Sequence, residues 1–275
     1  LQLKNSPCLN LAEESLSNGI MKTKLISLLL TLAIPAMASA WNVPKERVTY
    51  DIMYKWGLIN KKAGSVALET HPDSATSQFR ARLTAATAPW ADKFYHVRDT
   101  LKGSIDSKTF FPTYYEKIAH EGGDYNRDLL YFTRTGNTVR ADATRWRLHK
   151  KDTAMIKSMK VHQAEGLTMD MLSSYYYMRQ LNYPDMKKGE SVKLNIFSGS
   201  KKEILTIHFK GVEMVEVQNK RLPAYHITFT FTTDGGKISS DNMDAWISTT
   251  SNRIPLLLEG KLPVGKVRAI YSGKL

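Results

Sequence analysis

One feature constrains this chain more than any other: apolar and polar side chains alternate with a period of two over most of its length. Val48, Tyr50, Ile52 and Tyr54 alternate with mostly polar neighbours. Phe79, Ala81, Leu83 and Ala85 share one parity, as do Tyr95, Val97, Leu101 and Ile105, and then Tyr125, Leu129, Tyr131 and Thr133. The second half repeats the pattern with Val192, Leu194 and Ile196, then Leu205, Ile207 and Phe209, then Tyr225, Ile227, Phe229 and Phe231. Ala245–Ser248 and Val264–Tyr271 supply the last strands. Such alternation describes strands with one buried and one wetted face. Turn signals separate the runs: Gly57 to Gly64, Gly136-Asn137, Asn219-Lys220 and Asp234-Gly235-Gly236. No strand–helix–strand rhythm and no internal repeat is present. The expectation is a mainly β fold, a curved antiparallel sheet that is barrel-like or a sandwich.

One segment departs from the period of two. Met171, Leu172, Tyr175 and Met178 follow three-four spacing, which predicts one central helix near 168–182. Thr168 is the expected N-cap, Asp170 suits the first turn, and Pro184 ends the segment. The coarse order is β, helix, β.

The N-terminal region predicts export. Met21 is followed by Lys22 and Lys24, then by an apolar run from Leu25 to Ile34, Pro35, and the small residues Ala38-Ser39-Ala40. This is the pattern of a cleavable signal peptide over 21–40, with the mature chain starting near Trp41. The apolar run falls short of the roughly 20 residues needed to span a bilayer. Residues 1–20 then read as an upstream non-native segment. Residues 41–275 read as a single β-rich domain, or two halves meeting near 165–185. Cys8 is the chain's only cysteine and precedes the signal, so the mature protein is expected to have neither disulfide nor thiol chemistry.

Charge narrows the partners. The chain carries 39 Lys and Arg against 26 Asp and Glu; three lysines and two glutamates lie in residues 1–40, which leaves net +12 beyond them. In a periplasmic or otherwise exported protein this charge points to anionic or amphipathic envelope components, lipid or glycan, or to a solvated basic surface. No nucleic-acid motif is present. The basic segment Arg145-Trp146-Arg147-Leu148-His149-Lys150-Lys151 fits either docking on anionic lipid or glycan, or a lysine-guarded sheet edge.

Catalytic signatures are lacking. None of the seven histidines forms an HxH or HExxH pair; after His120-Glu121, Asp124 stands where the second histidine belongs. No metal site, cofactor or catalytic residue is expected, and GxSxG and P-loop patterns are absent. The candidate ligand-binding residues are Trp90, Asp99, Tyr175, Tyr176, Arg179 and Trp246. Asp99 shares parity with apolar neighbours, so it points inward and needs a partner such as Arg179. It reads either as a polar group in a ligand cleft or as a structural ion pair. Tyr175-Tyr176-Tyr177 could line a groove or pack helix on sheet; three consecutive helical positions span about 200°, so at least one should face elsewhere. Trp90 and Trp246 could stack on sugars or belong to the core rim.

Several segments together resemble an exported bacterial family known as domain of unknown function 3108. They are Tyr50 to Gly64; Phe94-Tyr95-His96-Val97-Arg98-Asp99; Asp170-Met171-Leu172-Ser173-Ser174-Tyr175-Tyr176-Tyr177-Met178-Arg179; and Trp246-Ile247-Ser248 with Arg253-Ile254-Pro255 and Gly265-Lys266-Val267. The resemblance implies an exported, β-rich protein and no activity. The chain is also similar in style to periplasmic lipoprotein carriers, at the level of fold alone. The leading expectation is a non-enzymatic envelope protein that binds lipid or glycan in or beside the sheet. The rivals are an enzyme acting on envelope polysaccharide and a structural partner in an outer-membrane assembly. The oligomeric state is not legible.

Overall fold

The computed structural model describes residues 43–73, 75–199, 201–233 and 235–275. The expected signal at 21–40, Cys8 and the start near Trp41 lie outside them. The strands are β1 (Glu46–Trp56), β2 (Ile59–Asp73), β3 (Gln78–Thr87), β4 (Val97–Asp106), β5 (Pro112–Glu121), β6 (Asp124–Thr135), β7 (Thr138–Leu148), β8 (Ile156–Glu165), β9 (Thr168–Met169), β10 (Ser191–Ser198), β11 (Lys201–Val217), β12 (Lys220–Thr233), β13 (Met243–Ser248), β14 (Pro255–Lys261) and β15 (Lys266–Tyr271). The helices are α1 (Pro89–Asp92) and α2 (Met171–Arg179).

All 15 strands form one sheet, ordered β8-β7-β6-β5-β4-β3-β2-β1-β15-β14-β13-β12-β11-β10-β9. It is the mainly β, barrel-like sheet that the alternation predicts. Every neighbouring pair is antiparallel except β9–β10, which is parallel, and β1 joins the halves by pairing with both β2 and β15. The sheet's two edges, β8 and β9, are consecutive in sequence, and the seam lies between β8 and the part of β10 that the two-residue β9 leaves unpaired. Two side chains bridge it: the His162 ring nitrogen Nε2 lies 2.8 Å from the Gly199 carbonyl, and Asn195 Nδ2 donates to the Glu165 carbonyl at 3.0 Å. The barrel is therefore nearly closed, held at the seam by side chains instead of a backbone ladder.

Helix α2 fills the interior. Every residue from Leu172 to Arg179 is buried. Tyr176 packs edge-on against Phe79 of β3, with ring centroids 4.7 Å apart, and Tyr177 meets Phe110. Gly103 of β4 lets the helix approach, because a Cβ there would sit 3.2 Å from Leu172 Cδ2. The helix begins later than its sequence suggests. Thr168–Met169 is still extended and pairs with β10, so Asp170, not Thr168, is the N-cap. Asp170 Oδ1 accepts from the Leu172 and Ser173 amides at 2.6 and 2.8 Å, and Ser173 Oγ accepts from the Asp170 amide at 3.1 Å. This is a reciprocal capping box.

Four further expectations are corrected. All three consecutive tyrosines are buried, because a helix enclosed by a barrel has no wet side. The turn after β1 is only Gly57-Leu58, and Gly64 lies within β2, where a Cβ would stand 2.5 Å from the Ala86 carbonyl oxygen. The inward parity of β6 is Asp128, Leu130 and Phe132, which leaves Tyr131 exposed; the run Leu129-Leu130-Tyr131-Phe132 permits either parity, and the register on β5 and β7 decides. Tyr95 precedes β4 in a connecting segment, although it is buried.

Candidate functional site

Asp99 points inward, as its parity requires, and its side chain is fully covered. Its partners come from β5 next door. Oδ1 accepts the His120 amide at 3.2 Å, and Lys117 Nζ lies 3.8 Å from Oδ2 and 3.2 Å from Glu121 Oε1. Burial pushes the Asp99 carboxyl up, to about 8; Lys117 opposes the rise and Glu121 adds to it. The raised pKa favours the protonated form of Asp99. Tyr95, packed under Gly122, covers this cluster.

Arg179 is not the partner of Asp99. It lies fully buried at the C-terminal end of α2, donates to both carboxylate oxygens of Glu46 on β1, and reaches the Asn252 carbonyl at 2.7 Å. Sequence spacing gives no information on which strand crosses a helix end, so this pairing could not be read from it. Tyr175 and Tyr176 meet strands instead of solvent. The Tyr175 hydroxyl lies 3.0 Å from the Tyr50 hydroxyl, and the Tyr176 hydroxyl lies 2.7 Å from Thr70 Oγ1. These groups join the helix to β1 and β2.

The two tryptophans are partly exposed and far apart in the sheet order. Trp90, in α1, donates from Nε1 to the Lys62 carbonyl at 2.7 Å, and Lys61 Nζ lies 4.6 Å from the indole centroid. Trp246, on β13, stacks on His226 with centroids 4.6 Å apart and donates to Glu213. Burial disfavours charging of His226, but its hydrogen bonds to Asp244 and Glu213 outweigh that and raise its pKa. The six candidates therefore form no single site.

What the structure brings together instead is a groove on the outer face of β1–β5, with a volume of about 550 Å³. The register explains it. Thr49, Ala67, Thr84 and Thr100 stand directly opposite one another on four adjacent strands and form a floor of short side chains. The next outward-facing row on one side is Arg47, Glu69, Arg82 and Lys102, and on the other Asp51, Ser65, Ala86 and Arg98. Four adjacent strands, set about 4.8 Å apart, make this trough roughly 14 Å long, and β5 extends it. Asp99 borders it from beneath.

The row beside the floor is charged, and within it Arg82 stands between Glu69 and Lys102. Arg82 and Lys102 are directly opposed on neighbouring strands, a like-charge pair that disfavours the sheet. Lys102 is compensated by Glu116 at 2.8 Å, and Arg47 by Glu69 at 3.2 Å. Arg82 makes no ion pair among the described residues. Along one strand the groove residues look like ordinary polar-face positions; only the register of successive hairpins aligns them.

Among the described residues no cluster of three or more His, Cys, Asp or Glu could hold a metal ion. No helix among them is long and apolar enough to cross a membrane.

The model of the family "Protein of unknown function (DUF3108)" matches residues 49–271. The chain belongs to this family. The match begins in β1 and ends in β15, so the family unit is the whole sheet with its enclosed helix. A search of curated proteins finds no match. Among solved structures, the chain is similar to the crystal structure of a beta-barrel-like protein of domain of unknown function DUF1849 from Brucella abortus. The TM-score is 0.58 at 11% identity, over 85% of this chain and 98% of that one. At that identity the likeness concerns the fold.

Proposed function

We propose that this member of the family is a non-catalytic binding protein of the cell envelope that holds an extended acidic glycan in the outer groove of β1–β5. One observation carries the reading: a trough floored by Thr49, Ala67, Thr84 and Thr100 lies beside a row in which Arg82 stands between Glu69 and Lys102 and makes no ion pair among the described residues. A polymer bearing carboxylates could relieve that like-charge pair, with bidentate hydrogen bonds to the Arg82 guanidinium. Threonine hydroxyls on the floor offer partners to sugar hydroxyls. The signal-peptide pattern at 21–40 supports the envelope setting.

The filled interior favours a glycan over an interior lipid, since α2 and its tyrosines occupy the space where a carrier would hold acyl chains. A hydrolytic role for Asp99 and Glu121 is less favoured. Glycoside hydrolysis needs two carboxyls flanking a substrate, and these side chains are 0% and 9% exposed.

The test is calorimetric titration with a uronic-acid oligosaccharide and with its neutral counterpart. Binding of the acidic sugar alone, weakened about tenfold or more by Arg82→Glu and by Thr84→Trp, is the expected result; one lost charge-assisted contact is worth about 1.5–3 kcal/mol. Equal affinity for both sugars, or unchanged binding by the Thr84→Trp variant, whose indole would fill the floor, would exclude the groove.

A further inference from the structure

The tip of the β1–β2 hairpin and the segment around α1 present apolar side chains that are exposed among the described residues. The turn is Gly57-Leu58, with Gly57 at φ +54°. Leu58 is fully exposed, and Ile59 and Phe94 are 44% and 42% exposed. Polar residues serve such turns equally well, so the leucine has no local structural reason. Trp56 pairs directly with Ile59 across the hairpin, so both side chains share one face, and Lys61 follows on that face two positions on from Ile59. Lys61 lies over the Trp90 ring, and Trp90 meets Phe94 edge-on with centroids 6.2 Å apart. Trp56, Leu58 and Ile59 at the hairpin tip and Trp90 and Phe94 beyond β3 thus lie at the same end of the barrel, with Lys61 between the two groups.

Lysines adjoin these residues in the chain. Lys55, Lys61, Lys62 and Lys93 are all exposed. The nearby acids already have partners: Asp51 pairs with Lys62 at 2.6 Å, and Asp92 with Arg98 at 2.7 Å. Lys55 stands directly opposite Lys266 of β15, a second like-charge pair. Indole and phenyl rings with an apolar tip, bordered by lysines whose stems can lie along that surface, match the boundary between acyl chains and headgroups. Each such lysine near an anionic surface adds about 1 kcal/mol of attraction.

We infer that Leu58, Ile59, Trp90 and Phe94, flanked by Lys55, Lys61, Lys62 and Lys93, form a docking surface for an anionic lipid bilayer. The apolar tip enters the headgroup layer and Lys55, Lys61 and Lys93 lie against lipid phosphates, while Lys62 stays paired with Asp51. The barrel then stands with its β1–β2 end on the membrane, while the outer groove of β1–β5 stays open to solvent. This surface is independent of the glycan reading.

The test is co-sedimentation of the purified protein with vesicles of phosphatidylglycerol and phosphatidylethanolamine, against vesicles of phosphatidylcholine. Selective binding to the anionic vesicles that weakens with salt, and a tryptophan emission shift to the blue, are expected. Leu58→Asp alone, and Leu58→Asp with Phe94→Ser, should lower vesicle partitioning by about tenfold or more at an unchanged melting temperature, because both side chains are exposed. Absence of binding to anionic vesicles, or undiminished binding by the double variant, would overturn the proposal and leave the patch to a protein partner.

Discussion

Arg179 on α2 and Glu46 on β1 form an ion pair inside the barrel, 133 residues apart in sequence, with one guanidinium–carboxylate contact at 3.2 Å and a second from Nη1. The guanidinium is fully buried and the carboxylate 15% exposed. This pair locks the C-terminal end of the helix to the strand at the centre of the sheet order.

Breaking one side of this pair should be severe. Glu46→Gln leaves a buried cation without its counter-charge, so a loss of about 3–5 kcal/mol is expected in urea unfolding. Combining it with Arg179→Met removes the stranded charge and should restore part of that loss. A cost below about 1 kcal/mol for Glu46→Gln would mean that water reaches Arg179 and the interior is not sealed.

Gly103 sets the distance between α2 and β4. A Cβ there would sit 3.2 Å from Leu172 Cδ2, so Gly103→Val should overpack the contact and cost about 1–3 kcal/mol. Trimming the other side with Leu172→Ala should suppress the effect. Additive losses in the double variant would show that the two positions do not touch.

Asp99 makes stability depend on pH in a definite direction. Its folded pKa is raised to about 8, chiefly by burial, against about 3.9 unfolded. The folded state therefore binds the proton more tightly between those values. This contribution is full below about pH 4 and is lost as pH rises toward 8. Asp99→Asn should flatten the fall in melting temperature between pH 5 and pH 9. An unchanged profile would place the dependence elsewhere.

His162 has the opposite sign. Burial lowers its pKa, and Lys160 and Lys202 add to the lowering while the Gly199 carbonyl opposes it. Its contribution is present above about pH 6.5 and is lost as pH falls, because protonation is disfavoured at the seam. His162→Gln, which can still donate to Gly199, should reduce acid destabilisation between pH 7 and pH 5. Hydrogen exchange of β8 and β10 amides, faster at pH 5 in the parent and not in the variant, would locate the effect.

The strands legible in the sequence are those whose alternation is clean. β1, β3, β4 and β12 show apolar residues on one parity because one face is core and the other water. β5 and β8 carry no such signal. On β5 the inward positions include Lys117 and Glu121, so the core face itself carries charge. On β8 the residues from Ile156 to Val161 are exposed on both faces, because the strand lies at the seam and has no covered side there. Asp99 was legible as an inward carboxylate by parity. Lys117 as its neighbour was not, since strand pairing is set by hairpin register and not by local composition.

The sequence by itself determined an antiparallel β architecture with one helix in the middle, because periods of two and of three to four are local consequences of backbone geometry. It also carried the segments that resemble the family. Only the tertiary structure decided that the helix lies inside the sheet, that Arg179 meets Glu46, and that Thr49, Ala67, Thr84 and Thr100 align beside the row that holds Arg82 and Lys102. Those relationships depend on the register of successive hairpins, in which a shift of one residue would turn every side chain to the opposite face.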